Sequence, residues 1–139
     1  MALHALAIVA TRGTSSSIFQ VATLVRAATA LELVVDVLFE GDALGKLRRD
    51  RLNISEWSPA YAAILSELED RLASADFTDM ETFLRDAKEH GDHVHFWAEA
   101  DSLNVAGLDP ANLTPLLDGV RSRAAFLTEA DGADAVLTF

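Results

Sequence analysis

Glu99 and Asp101 stand two residues apart at the end of the apolar run Val94–Ala98, where a strand would deliver them to one edge of a sheet. Two carboxylates so placed are candidates for acid/base work, which requires environments that separate their pKa values. A second cluster, His90, His93 and His95, forms an H-x-x-H-x-H pattern. Alternation along an extended segment would put His93 and His95 on one face, where imidazoles can hold zinc, copper or nickel. No fourth ligand stands at a telling spacing, so strand-flanking histidines without a ligand role are the competing reading.

A third group follows the apolar run Leu3–Ala10. Arg12, Thr14 and Ser15 offer a guanidinium, hydroxyls and backbone N–H groups at the start of a helix, a setting suited to an anion. This turn matches neither G-x-G-x-x-G nor the phosphate loop G-x-x-x-x-G-K-[ST], so an ordinary strand-to-helix turn with a serine cap is the competing reading. No G-x-S-x-G elbow follows a strand, and no cofactor motif is present. Trp57 and Trp97 are read as core or interface anchors.

These residues need a frame to bring them together. Leu3–Ala10 (LHALAIVA) and Leu33–Phe39 (LVVDVLF) read as buried strands, separated by a helix that carries Ile18, Val21, Val25 and Ala28 on one face. Ser17 and Gln20 have capping-box spacing at its start. Strand, helix and strand in so short a span imply a parallel crossover. Asp42–Leu52 is expected as a short charged helix. Ser58-Pro59 opens another, running through about Ala73 with Tyr61, Ile64, Leu65, Leu68 and Leu72 inward. Thr78 and Glu81 start a third, with Met80, Phe83, Leu84 and Ala87 inward and Gly91 ending it.

Val94–Ala98 is the third strand. Asp101 or Ser102 is expected to cap a short helix that Gly107 ends, and Asp109-Pro110 to begin a turn or short helix. A last helix lies around Arg121–Asp131, and Ala135–Phe139 is the final strand. The whole chain, 1–139, is expected to form one domain with a mostly parallel sheet of four or five strands covered by helices. In open parallel sheets ligands collect beyond the carboxyl ends of the strands. Arg12, Thr14 and Ser15, Gly41, and Glu99, Asp101 and Ser102 should therefore converge on one pocket.

Half of the 139 residues are hydrophobic and 24% are charged, the profile of a globular chain, and the formal net charge is −11. That charge argues against nucleic acid, whose phosphates need a basic surface, and against an anionic membrane. The basic cluster Lys46–Arg51 (KLRRDR) is short and includes an aspartate, fitting either a solvated helix end or an anion contact. No export signal or span-length apolar run is visible, so a cytoplasmic location is expected.

The stretch His93–Leu108 (HVHFWAEADSLNVAGL), with Ala125–Leu127 and Ala133–Phe139 (ADAVLTF), resembles the DsrE/DsrF-like sulfur-relay proteins. In many members the equivalent strand ends in alanine-cysteine-serine, whereas here it reads Ala98-Glu99-Ala100. The resemblance extends to the first strand, helix and second strand but not to Asp50–Phe77. It implies a three-layer α/β/α sandwich of the DsrEFH-like kind, and either a homo-oligomer or a subunit in a hetero-oligomer of related chains. It also implies a short helix after Glu99 whose dipole would favour an anion there. The chain contains no cysteine, so the family's sulfur transfer does not carry over. The expected function is a non-catalytic structural or regulatory subunit, or a small-ligand-binding module. An enzyme with repurposed chemistry at Glu99, Asp101 and Arg12, and a metal protein through the histidines, remain as alternatives.

Overall fold

Parallel pairing organises the molecule. The computed structural model describes residues 4–139 and contains five strands: β1 (Ala5–Ala10), β2 (Val34–Phe39), β3 (Val94–Glu99), β4 (Gly119–Arg121) and β5 (Ala135–Thr138). They form one all-parallel sheet in the order β4-β3-β2-β1-β5. The register sets Ala10 beside Phe39 and Phe39 beside Ala98, so β1, β2 and β3 end at the same level. Leu3, the first residue of the expected opening strand, lies outside the described residues.

Helices flank the sheet unequally. On one face α1 (Ser15–Ala30), α2 (Gly41–Lys46), α4 (Met80–Glu89) and α5 (Ala100–Ala106) cover Leu6, Ile8, Val35, Val37, Phe39 and Phe96. Each such side chain contributes roughly 2 kcal/mol on burial. On the other face the single helix α6 (Arg123–Ala130) packs Phe126 onto Ala7, Val9 and Leu38. The result is a three-layer α/β/α sandwich with one thin layer.

The expected face of α1 is buried as a unit: Ile18, Val21, Val25 and Ala28. Its cap is Thr14 rather than Ser17, because the Thr14 side chain accepts from Ser17 N at 3.2 Å. Helix α2 stops at Lys46 instead of reaching Leu52, and the chain continues in turns that Leu52 anchors in the core. Asp79, not Thr78, caps α4 by accepting from Thr82 N at 2.7 Å; Met80, Leu84 and Ala87 are buried as expected.

The helix expected from Ser58 to Ala73 is divided into a 3-10 segment, Pro59–Ile64, and α3 (Leu65–Ser74). No residue in either is buried, so the inward stripe of Tyr61, Ile64, Leu65, Leu68 and Leu72 is corrected. Ile64 is 44% and Leu65 37% exposed. This segment stands beside the body, its apolar side turned to an aromatic group instead of the sheet. There Phe19 stacks on Phe83 at 4.8 Å and meets Trp57 at 5.9 Å, while Phe77 lies 5.4 Å from Phe83. The last helix begins at Arg123 because Arg121 belongs to β4. No helix among the described residues is long and apolar enough to cross a membrane.

Candidate functional site

Glu99 ends β3 and is itself the cap of α5, a role expected of Asp101 or Ser102. Its carboxylate accepts from Asp101 N at 3.0 Å, Ser102 N at 2.7 Å and the Ser102 hydroxyl at 2.7 Å. These partners answer amide donors that a helix start leaves unpaired. The side chain is 1% exposed. Burial pushes the carboxyl up, but the hydrogen bonds from Ser102 and Asp101 and the nearby Arg123 charge outweigh it and hold the group below its ordinary value. Glu99 is thus a fixed anion with its oxygens committed.

Ser102 links this cap to the neighbouring strand end. Its Oγ accepts from Gly41 N at 2.8 Å, and Gly41 adopts a φ of 55°, a left-handed conformation that favours glycine. The β1–α1 turn approaches the same region at Gly13, where a Cβ would lie 2.4 Å from the Asp42 carbonyl oxygen. Close backbone approach therefore excludes any side chain at position 13.

A crevice of about 590 Å³ opens beyond the ends of β2 and β3. Gly41, Glu99, Asp101 and Ser102 line it, as expected for residues at strand carboxyl ends. Arg12, Thr14 and Ser15 do not. Thr11 N donates to the Phe139 carbonyl at 2.7 Å and the Thr11 hydroxyl donates to the same oxygen, binding the end of β1 to β5. Thr14 is occupied as the α1 cap, and Ser15 turns to the loop beyond α2, where its hydroxyl accepts from Glu56 N at 2.8 Å.

The cations of the crevice are Arg48, Arg51 and Arg123, with Asp42 as a further anion. Arg123 pairs with Glu40 at 2.9 Å, and this partner raises its pKa. Arg48 pairs with Asp50 at 2.8 Å across an exposed surface. Arg48 and Arg51 belong to the basic cluster Lys46–Arg51, so their presence near the strand ends had a signal in the sequence. Arg123 had none, since only the fold brings it beside Glu40, 83 positions away. The mouth therefore offers both charges, suiting a polar ligand with donor and acceptor groups more than a bare anion.

The loop carrying Arg48 and Arg51 is held from below. Lys46 is fully buried, and its Nζ donates to the Arg51 carbonyl at 3.1 Å, the Ile54 carbonyl at 2.7 Å and Glu56 Oε1 at 2.8 Å. Burial pushes the Lys46 ammonium down despite the favourable Glu56 charge. Hydrogen bonds from Arg51 and Lys46 hold the Glu56 carboxyl at about 2. Lys46 belongs to the basic cluster visible in the sequence, but nothing local marked its burial or its meeting with Glu56, which depends on how the loop folds back.

The histidines are divided. His90 Nδ1 lies 2.9 Å from the Thr29 hydroxyl, and His90 and His93 border a shallow hollow with Thr29 and Glu32. His95 stacks on Trp97 at 5.7 Å, with its Nδ1 3.6 Å from Asp36. No group of three His, Cys, Asp or Glu side chains suited to a metal ion is present among the described residues.

No family model matches this chain, and no curated protein matches it. Among solved structures it is similar to MTH1491, a protein of unknown function from Methanobacterium thermoautotrophicum. The TM-score is 0.59 at 19% identity, covering 96% of this chain and 98% of that one. At that identity the likeness shows the α/β/α fold alone.

Proposed function

We propose that this chain is a non-catalytic relative of the DsrE/DsrF-like proteins: a subunit or small-ligand-binding module that does not itself carry sulfur. The observation that supports this most is Glu99, a carboxylate where the family's strand end bears cysteine, committed to capping α5 above a crevice of about 590 Å³. A thiolate at that point would meet the same amides. Glu99 replaces it with a resident anion that has no sulfur chemistry. The acid/base alternative gains nothing here. The two Glu99 oxygens are taken up by donors from Asp101 and Ser102, and Arg12 does not line the crevice. In this reading the protein acts in the cytoplasm, in a homo-oligomer or beside a cysteine-bearing partner chain.

The test is Glu99→Cys treated with a small persulfide donor. The donor's outer sulfur would pass to the new thiolate and the donor would leave as a thiol. We expect one added sulfur atom by intact-mass spectrometry, absent from the wild type and from a surface control such as Ala62→Cys, which is exposed. Loss of the carboxylate cap costs about 1 kcal/mol, which the fold should survive. Equal labelling of the two cysteine variants would remove the support for an inherited sulfur position.

A further inference from the structure

A second crevice, of about 270 Å³, lies between α3 and the body, separate from the strand ends. Its walls are Trp57, Leu72, Phe77 and Met80, closed on one side by the loop around Ile54. For comparison, an apolar cavity of about 150 Å³ accepts benzene, so this space takes one ring with a short chain. Two carboxylates, Glu69 and Asp79, reach it, and no cationic side chain lines it. Each has one oxygen committed. Glu69 Oε1 accepts from the Ser55 hydroxyl at 3.0 Å, and Asp79 Oδ1 accepts from Thr82 N at 2.7 Å. The second oxygen of each has no protein donor among the described residues.

We infer that this crevice binds a small organic cation: an ammonium joined to an aromatic or branched apolar body. The body enters between Trp57 and Phe77, where ring faces also attract a cation. The ammonium meets the free oxygens of Glu69 and Asp79. An anion of the same shape would bring a third negative charge against two carboxylates, in a chain of formal net charge −11. The Ser55–Glu69 hydrogen bond is the one side-chain link between α3 and that loop among the described residues. Helix α3 can therefore adjust to the occupant without disturbing the core, since it contributes no buried residue.

The test is amide and indole NMR titration of the whole chain with phenethylammonium, 2-phenylethanol and 3-phenylpropanoate, which share a ring and differ in charge. Saturable shifts at Trp57, Leu72 and Phe77 are expected with phenethylammonium. Binding should be roughly fivefold weaker for the alcohol and at least about tenfold weaker for the carboxylate. Glu69→Gln should reduce the preference for the cation over the alcohol while leaving the alcohol's affinity unchanged. Ala73→Trp, at an exposed position on the crevice rim, should obstruct all three probes. Equal binding of the three probes, shifts that persist in Ala73→Trp, or no saturable shift with the cation would each overturn the inference. None of these outcomes bears on the Glu99 crevice.

Discussion

Glu56 illustrates how a single carboxylate can couple a loop to pH. Its folded value of about 2 lies below the ordinary 4.5, so the stability it contributes is present above 4.5 and lost as pH falls toward about 2. Glu99 shifts in the same direction. Asp134, which accepts from His4 N and Ala5 N, shifts the same way. The comparison that isolates Glu56 is therefore wild type against Glu56→Gln. The side chain is 34% exposed, so screening reduces its contribution to about 1–2 kcal/mol. We predict that Glu56→Gln lowers stability by that amount at neutrality and that the difference vanishes by about pH 2. Urea unfolding along this pH series measures it, and a difference independent of pH would show that Glu56 acts through packing alone.

Helix α3 and helix α4 present similar apolar stripes, yet the fold uses them differently. Leu84 of α4 is fully buried, whereas Leu72 of α3 is half-buried beside the aromatic group. Leu84→Ala should cost about 3 kcal/mol through the cavity it leaves, and Leu72→Ala less than about 1 kcal/mol. Amide exchange should follow the same order, with α3 exchanging through local opening well before α1 and α4. Equal protection of α3 and α4 would contradict this ranking.

The same pair explains where sequence reading succeeds. Periodicity identifies an apolar face and cannot say what covers it: the α1 face meets the core, whereas the α3 stripe does not reach it. Strand β4 has only three residues and no pattern. Asp118 defines its start by accepting from Phe96 N at 2.8 Å and from Lys88 at 2.9 Å. That is a tertiary arrangement with no local signature. Gly41, Glu99, Asp101 and Ser102 line one crevice because strand ends in a parallel sheet face one way. Arg12 does not line that crevice; its neighbour Thr11 is tied to Phe139 across 128 residues, a tertiary link with no local signal.

Viewed as a whole, the molecule has an unequal sandwich and one sheet face left partly open. All-parallel sheets ordinarily have both faces covered, but among the described residues α6 is the one helix on this face, its Phe126 packed with Ala7, Val9 and Leu38 and with Trp97 partly buried against them. Trp97 donates to Asp36 at 3.1 Å and carries the Arg121 guanidinium 4.0 Å from its ring centre, with His95 stacked alongside. Val34 and Val136 are 38% and 49% exposed on the same face, as the register with Ala5 and Ala7 requires. The ionic groups there carry both signs, Asp36 and Glu129 against Arg121, which suits the face to a second copy of itself despite the acidic whole. The proposed self-association should therefore use this face. Analytical ultracentrifugation is expected to give a multiple of the 15.0 kDa chain mass. Val136→Lys combined with Val34→Lys should return it to the single-chain mass. Both positions are exposed in the isolated chain, so the substitutions should leave its thermal unfolding within about 1 kcal/mol of wild type at dissociating concentrations. A wild type that sediments at the single-chain mass at all concentrations would refute association through this face. A double variant that still associates would move the contact elsewhere on the molecule.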